Sequence, residues 1–181
     1  MYYYFQQFCR LNIWQHLHDQ LYCLTRDLEG WEGSPSYAIV DSQSVRTGPD
    51  ACEDTSFDAG KKIKGRKRHI LVDMLGLLLK LKVHSASIQD RDEATLVFNK
   101  LTNRFPYIKK ICADGGYQGK TVEKASPKPM EIIKRNQKSF QILPKRWIVE
   151  RTFAWIKRNR RLTMDYEKYS KTSENIILIA F

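Results

Sequence analysis

The sequence is poor in the features that mark several common classes of protein. It has only four cysteines in 181 residues, with no C-x-x-C pair and no cluster of cysteine with histidine. This spacing argues against a zinc module and offers no disulfide framework, so we expect reduced thiols. The aromatic N-terminal stretch MYYYFQQF is not followed by a long apolar run and is typical of neither a signal peptide nor a membrane span. We therefore expect a cytoplasmic protein that makes no contact with a membrane.

Acidic residues are also scarce relative to basic ones. Lysine and arginine total 31 against 20 aspartates and glutamates, so the formal net charge is +11. An excess of this size favours association with nucleic acid or another polyanion, and a merely basic soluble protein is the alternative. The hydrophobic content of 42% is enough for a packed core, which argues against disorder over the whole chain. The length allows one ordinary domain with a small appendage.

Apolar periodicity and turn residues divide the chain into a helical start and a longer α/β part. Apolar residues at helical spacing predict a helix over residues 2–29, and the stretch GWEGSPS at 30–36 is the clearest boundary. We therefore expect a helical region over 1–34 and a second domain over 35–181. In the second domain we predict strands at 37–41, 69–73, 77–83, 108–113 and 130–133, and helices at 90–105 and 146–162. This order predicts a mixed sheet with helices packed on it.

Two aspartates end predicted apolar strands, where packing alone does not require a charge. Asp41 follows Ala-Ile-Val and Asp114 follows Ile-Cys-Ala. A buried carboxylate has an energetic cost unless it is paired or binds a metal, and ligand sites in open α/β sheets gather beyond the carboxyl ends of strands. If the two strands are neighbours, both carboxylates face one gap of the size of an ion. The alternative is that each aspartate simply begins a turn.

A third carboxylate, Glu150, lies on a strongly basic predicted helix. Helical spacing places it on one stripe with Arg146, Ala154, Lys157 and Arg161. Such a stripe is usually a solvent-exposed helix face on which residues four apart form ion pairs. However, residues 145–161 contain seven cations and one acid, an imbalance that suits a helix carrying phosphates past a metal ligand. The three carboxylates together predict a divalent-metal site that acts on a phosphodiester.

Other polar residues have simpler interpretations. We expect Asp73 to serve the turn between two strands, and Asp90 to cap the helix that follows it, with Glu93 completing a capping box. His69 and His84 lie on predicted strands and are expected in the core or in cross-strand contacts.

Several of these stretches, in collinear order over most of the chain, resemble the catalytic domain of insertion-sequence DDE transposases of the bacterial IS-five family. They are YYYF at 2–5, DSQSV at 41–45, GRKRHILVD at 65–73, QDRDEA at 89–94, ADGGYQG at 113–119 and RWIVERTFAWIKRNRRL at 146–162. The resemblance implies a ribonuclease-H-like fold, a mixed sheet flanked by helices, with only a short N-terminal helical remnant. It also implies that Asp41, Asp114 and Glu150 are catalytic residues and the ligands of two Mg²⁺ ions, for which Mn²⁺ can substitute.

The resemblance further implies metal-dependent cleavage of double-stranded DNA at the element ends and transfer of the cut strand into target DNA. The family signature Tyr-(2)-Arg-(3)-Glu-(6)-Lys keeps its spacing on Arg146, Glu150 and Lys157, but its tyrosine position is occupied by Leu143. The expected DNA-binding residues are Arg146, Lys157, Arg158, Arg161, Lys64, Arg66, Lys67 and Arg68. We expect a homodimer on DNA, associated with the bacterial nucleoid.

One alternative follows from the same resemblance. Relatives have a longer N-terminal helical region, so the chain resembles a truncated family member. A catalytically silent remnant that only binds DNA is therefore the second hypothesis.

Overall fold

Helices cover both faces of a central sheet in the computed structural model, which describes residues 2–49, 53–99, 101–133 and 145–181. The signature position Leu143 lies outside the described residues. The strands are β1 (Tyr37–Arg46), β2 (Ser56–Asp58), β3 (Ile63–Val72), β4 (Leu78–Ser85), β5 (Lys110–Asp114) and β6 (Met130–Ile133). The helices are α1 (Tyr2–Arg10), α2 (Ile13–Leu28), α3 (Asp90–Phe98), α4 (Leu101–Arg104), α5 (Lys120–Ala125), α6 (Arg146–Arg158) and α7 (Ser170–Ala180).

The described strands form one mixed sheet in the order β2-β3-β1-β5-β6, in which β4 also pairs with β3. Strand β1 is antiparallel to β3 and parallel to β5, and β5 is parallel to β6. Strands β3 and β4 form the predicted hairpin. This arrangement confirms the predicted fold class, a ribonuclease-H-like mixed sheet flanked by helices.

Strand β1 is longer than its apolar run predicts. The prediction that it ends at Asp41 is wrong, because the strand continues to Arg46. Its continuation pairs with the basic segment of β3, from Asp41 opposite Ile70 to Arg46 opposite Gly65. The two backbones come so close at Gly65 that a Cβ atom there would lie 1.9 Å from the carbonyl oxygen of Val45. Pairing with β3, rather than the apolar character of its own residues, therefore sets the length of β1.

The alternating side chains of β1 contribute to two separate cores. Ala38 and Val40 pack against residues of α3, α4 and α5 on one face of the sheet. Ile39 packs on the other face against residues of α6 and α7, including Val149, Phe153 and Ile177. Because side chains alternate along a strand, Asp41 shares the face of Ile39, and Ser42 shares the face of Val40.

Three predicted helices differ in their extent. The helix predicted over 2–29 is divided into α1 and α2 at Asn12, which adopts a left-handed conformation with φ of 54°. The helix predicted over 90–105 is divided into α3 and α4. Helix α6 begins at Arg146 as predicted but ends at Arg158, after which Asn159 is extended and a short 3₁₀ turn follows. Among the described residues, no helix combines the length and the apolar character needed to cross a membrane.

Candidate active site

The sheet brings Asp41 and Asp114 to the same level on neighbouring strands. The parallel register pairs Ile39 of β1 with Cys112 of β5, and each aspartate lies two residues further along its own strand. Ile39 and Cys112 belong to the core beneath α6. Since side chains two residues apart share a face, both carboxylates are directed toward α6. The two strands are therefore neighbours, which is the condition under which the sequence analysis expected both carboxylates to face one gap.

In each aspartate, one carboxylate oxygen is bound to the backbone and the other faces a cation. Oδ1 of Asp41 accepts a hydrogen bond of 2.7 Å from the amide of Ser42, and Oδ1 of Asp114 accepts one of 2.9 Å from the amide of Gly116. Asp114 thereby caps a 3₁₀ turn, Gly115–Tyr117. The second oxygens face the guanidinium of Arg146. The turn interpretation and the site interpretation of Asp114 are therefore compatible, because each uses a different oxygen.

Helix α6 contributes Arg146 and the third carboxylate. The Nε atom of Arg146 lies 3.3 Å from Oε1 of Glu150, one turn later, and 4.0 Å from Oδ2 of Asp41. Its Nη2 atom lies 3.4 Å from Oδ2 of Asp114. One guanidinium group is therefore within 4.0 Å of all three predicted carboxylates. The exposure of these side chains increases from 14% for Asp41 through 26% for Asp114 to 60% for Glu150.

Burial makes Asp41 a weak acid. Its pKa is raised from 3.8 to about 6, chiefly by desolvation, and the negative charge of Asp114 raises it further. The amide of Ser42 and the guanidinium of Arg146 act in the opposite direction and lower this pKa. A carboxylate with this balance is stabilised in its charged form by any additional positive group that comes near.

The carboxylates fit a hard divalent cation by their chemistry. Oxygen donors are the ligands that Mg²⁺ prefers, and these three already share one positive group. Asp41, Asp114 and Arg146 also line a cavity of about 10 Å³, roughly the volume that one water molecule needs. In their present positions, however, no three His, Cys, Asp or Glu side chains of the described residues are close enough together to hold a metal ion.

A second polar network lies on the opposite face of β1. The carboxylate of Asp90 accepts hydrogen bonds from the hydroxyl of Ser42 at 2.7 Å and from the ammonium of Lys67 at 2.9 Å. The prediction that Asp90 caps α3 is wrong, since Gln89 is the N-cap residue and makes no side-chain capping bond. Nearby, the hydroxyl of Tyr117 is 2.8 Å from Nε2 of His69.

The sequence contains no local indication of this network. Lys67 lies between Arg66 and Arg68 in a basic run, and only the structure shows that this part of β3 is buried, so that Lys67 needs an anionic partner. His69 is fully buried beside Tyr117 and His84, as expected of core histidines.

The basic segment of β3 is largely inside the protein. The guanidinium of Arg66 is fully buried and donates to the carbonyl oxygens of Glu53, Glu167 and Lys168. Arg68 is also fully buried and donates to the carbonyl of Leu162 at 2.7 Å. The sequence analysis expected these two residues and Lys67 to contact DNA. Because β3 is paired along both edges, the structure instead uses them to join the sheet to neighbouring segments.

The remaining predicted DNA contacts lie at the surface. Lys64, Lys157, Arg158 and Arg161 are exposed, and Arg146 is partly exposed. The guanidinium of Arg161 forms two hydrogen bonds, of 2.7 and 2.9 Å, with the carboxylate of Glu167. Lys157 and Arg158 occupy the last turn of α6, the helix that carries Glu150. Two exposed cations therefore lie at the end of the helix that carries Glu150, and Arg161 lies beyond that end.

Comparison with known proteins connects this site to a family. The family model described as a transposase DDE domain matches residues 32–181. The chain is also similar to two solved structures, each matched over about a quarter of its own length. One is the piggyBac transposase synaptic complex with hairpin DNA, at 11% identity over 60% of this chain and 25% of that chain, with a TM-score of 0.39. The other is the Drosophila P element transposase strand transfer complex, at 12% identity, 54% and 26% coverage and a TM-score of 0.27.

A comparison with curated proteins finds no match. The family model nevertheless covers most of the chain, and the resemblance to DDE transposases inferred from the sequence motifs is confirmed. The chain belongs to the transposase DDE domain family.

Proposed function

We propose that this chain cuts and joins DNA phosphodiester bonds during transposition of an insertion sequence. The observation that carries this proposal is the convergence of Asp41, Asp114 and Glu150, from three different elements, within 4.0 Å of one guanidinium group. Carboxylates gathered in this way suit phosphoryl transfer, in which hard cations offset the negative charge of the phosphate. The net charge of +11 makes a polyanion the expected substrate.

In this proposal, Asp41, Asp114 and Glu150 would hold two Mg²⁺ ions, or Mn²⁺ in their place. Such ions, when bound, supply Lewis-acid stabilisation of the phosphate and activation of the attacking hydroxyl group. The amides of Ser42 and Gly116 orient the two aspartates by binding one oxygen of each, which leaves the other oxygen for the site.

The proposed partner is double-stranded DNA, both as element ends and as target. Lys157 and Arg158 at the end of α6, and Arg161 just beyond it, would contact DNA phosphates, and Lys64 adds a separate exposed cation. Such contacts with phosphates position the duplex without reading its sequence. Since two element ends must be joined to one target, we propose that two copies of the chain act together, in a bacterial cytoplasm at the nucleoid.

We also propose that residues 35–181 form the catalytic domain and that residues 1–34 are a helical attachment. The support is that the sheet and the three carboxylates all lie after residue 34. Helix α2 would then act on catalysis only through its contacts with this domain.

The proposal can be tested by incubating the protein with duplex DNA that carries the ends of its element, in the presence of Mg²⁺ or Mn²⁺. We expect nicking at the ends by the wild type and a loss of at least about a hundredfold in Glu150→Gln, because one metal ligand is removed. Glu123→Gln, which changes an exposed glutamate of α5, is the matched control and should cut normally.

Two results would contradict this proposal. Persistent DNA binding without cleavage by the wild type would support the alternative of a silent DNA-binding remnant. Equal nicking by the wild type and by Glu150→Gln would show that the carboxylates named here are not the catalytic ones.

A further inference from the structure

The guanidinium of Arg146 lies among the three carboxylates, within 4.0 Å of each. We propose that Arg146 is the resident counter-ion of this site, which keeps the carboxylates spread in the metal-free protein and leaves them when a divalent cation binds. The departing guanidinium then becomes available to a DNA phosphate. The second half of this inference rests on the proposed function, whereas the first half concerns metal binding alone.

The spacing of the carboxylates supports this role. Each lies between 3.3 and 4.0 Å from a nitrogen of a wide, planar group. Mg²⁺ is much smaller and binds oxygen at about 2.0–2.1 Å, so carboxylates that hold it must approach its centre more closely than they approach these nitrogens. With the guanidinium in place, no three His, Cys, Asp or Glu side chains of the described part of the chain are positioned to hold a metal ion. Closure around a cation requires the guanidinium to leave the gap.

Arg146 is held by charge but not by strong hydrogen bonds. Charge-assisted hydrogen bonds measure about 2.7–2.9 Å, and all three of its ion pairs are longer. Its Nε atom is buried and has no hydrogen-bond partner. The buried Lys67 lies 2.9 Å from the partly exposed Asp90, and this distance is typical of a tightly held cation. The guanidinium of Arg146 is therefore the replaceable positive group at this site.

The position of α6 does not depend on Arg146. The hydroxyl of Thr152 donates to the carbonyl of Gly76 at 2.7 Å, and Arg151 donates to the carbonyl of Leu75 at 2.8 Å. Val149 and Phe153 are buried in the core between the helix and the sheet. The side chain of Arg146 can therefore move while its helix stays in place, and a substitution there is compatible with folding.

If Arg146 and the metal ion occupy the same position in turn, binding of the metal ion and binding of DNA are coupled. If a divalent ion releases Arg146 and the released group binds a phosphate, the ion raises the affinity for DNA. By linkage, DNA then raises the affinity for the ion by the same factor. Arg146 would thus neutralise the carboxylates when no metal ion is bound, and it would bind a DNA phosphate when the ion is bound.

The first test measures binding of MnCl₂ alone to the metal-free protein by calorimetry. We expect Arg146→Gln to bind Mn²⁺ about tenfold more tightly or more, because the guanidinium within 4.0 Å of the three carboxylates then no longer competes with the ion. Lys157→Gln is the matched control, since it removes an exposed cation of the same helix, and its affinity should stay within about twofold. Equal or weaker binding by Arg146→Gln would overturn the inference.

The variant Arg146→Lys distinguishes the effect of the planar guanidinium, which fills the gap between the carboxylates, from the effect of positive charge alone. It keeps the positive charge, but a single ammonium cannot span three carboxylates as a planar guanidinium does. We expect this variant to bind Mn²⁺ more tightly than the wild type and less tightly than Arg146→Gln. An affinity equal to that of the wild type would mean that charge alone matters, and the role of the planar guanidinium in keeping the three carboxylates spread would be rejected.

The second test measures DNA affinity by fluorescence anisotropy, with a duplex carrying an element end, in EDTA and in Ca²⁺. The wild type should bind several-fold more tightly in Ca²⁺, and Arg146→Gln should lose this increase. A similar increase in both proteins would refute the coupling. Neither test requires cleavage. Absence of metal binding in every protein would defeat the proposed function as well, whereas failure of Arg146→Gln to bind more tightly would defeat only this inference.

Discussion

At the scale of single residues, the candidate site depends on oxygens with separate tasks. Oδ1 of Asp41 and Oδ1 of Asp114 each accept a backbone amide, and Oδ2 of each faces Arg146. A rotation of either carboxylate would break a hydrogen bond, so the orientation of Oδ2 is set by the neighbouring backbone. An aspartate in a turn can thus serve the turn and the site together.

The two interpretations of Asp90, helix cap and ion-pair partner, predict different losses of stability when it is substituted. A helix-capping aspartate contributes about 1 kcal/mol, whereas removing one partner of a buried ion pair costs about 3–5 kcal/mol. Lys67 is almost completely buried and lies 2.9 Å from the carboxylate of Asp90. Lys67 also lies 4.0 Å from the carboxylate of Asp58 and donates to the carbonyl of Ile88, and Asp90 is partly exposed. We therefore predict that Asp90→Asn lowers the free energy of unfolding by about 1–3 kcal/mol in urea denaturation.

Asp92 provides the matched control in the same first turn of α3. It is exposed, and among the described residues its carboxylate forms an ion pair with the exposed Arg91 at 3.9 Å. Asp92→Asn should change the free energy of unfolding by less than about 0.5 kcal/mol. If the two variants lost similar and small amounts, Asp90 would not be the partner that Lys67 requires.

At the scale of secondary-structure elements, one buried aspartate joins α2 to the sheet. Oδ1 of Asp73 accepts the amides of Leu75 and Leu77 in the turn between β3 and β4, as the sequence analysis expected. Its Oδ2 accepts the hydroxyl of Tyr22 and the guanidinium of Arg26 from α2. The same carboxylate therefore stabilises a turn and attaches a helix.

This attachment predicts a large effect of one substitution in α2. Arg26→Met leaves the fully buried carboxylate of Asp73 without its cation, and we expect the free energy of unfolding to fall by about 3–5 kcal/mol in urea denaturation. Arg10→Met, at an exposed arginine of α1, should change it by no more than about 0.5 kcal/mol. Equal small losses in both variants would show that α2 is not attached through Asp73.

At the scale of the whole molecule, buried histidines make stability depend on pH. His18 of α2 has a pKa lowered from 6.5 to about 4, first by burial and then by the positive charge of Arg104. Asp19 lies 3.7 Å from the ring, but its carboxylate is also bound to Arg104 and Gln15. The folded protein therefore binds a proton at His18 only at a lower pH than the unfolded chain does.

The sign of the effect follows from this difference. Above pH 6.5 the stabilisation by neutral His18 is complete, and it is lost as the pH falls toward 4 because the unfolded chain takes up the proton first. We predict that His18→Gln removes about 2–4 kcal/mol of the decrease in unfolding free energy between pH 7 and pH 4. The measurement is urea denaturation at a series of pH values.

The exposed His16 supplies the control, since His16→Gln should leave the pH dependence of the wild type intact. If His18→Gln and the wild type lost stability in parallel, protonation of His18 would not contribute to acid unfolding.

Most of the fold and the identity of the three carboxylates could be predicted from the sequence. The apolar runs of β1 and β5 and the helical stripe of α6 are local patterns, and local patterns follow from periods of two and of 3.6 residues. Asp41, Asp114 and Glu150 stood out because each places a charge where the local pattern does not require one. The residue types alone therefore determined a mixed sheet, a basic helix and a candidate metal site.

Only the tertiary structure decided which cations belong to the surface and which to the interior. Lys64 and Arg66 are near neighbours in one basic run, but the pairing of β3 buries Arg66 and leaves Lys64 exposed. The placement of Arg146 among three carboxylates, and of Asp90 against Lys67, likewise depends on register and on packing between distant segments. Contacts of this kind join residues far apart in the chain, and no local period specifies them.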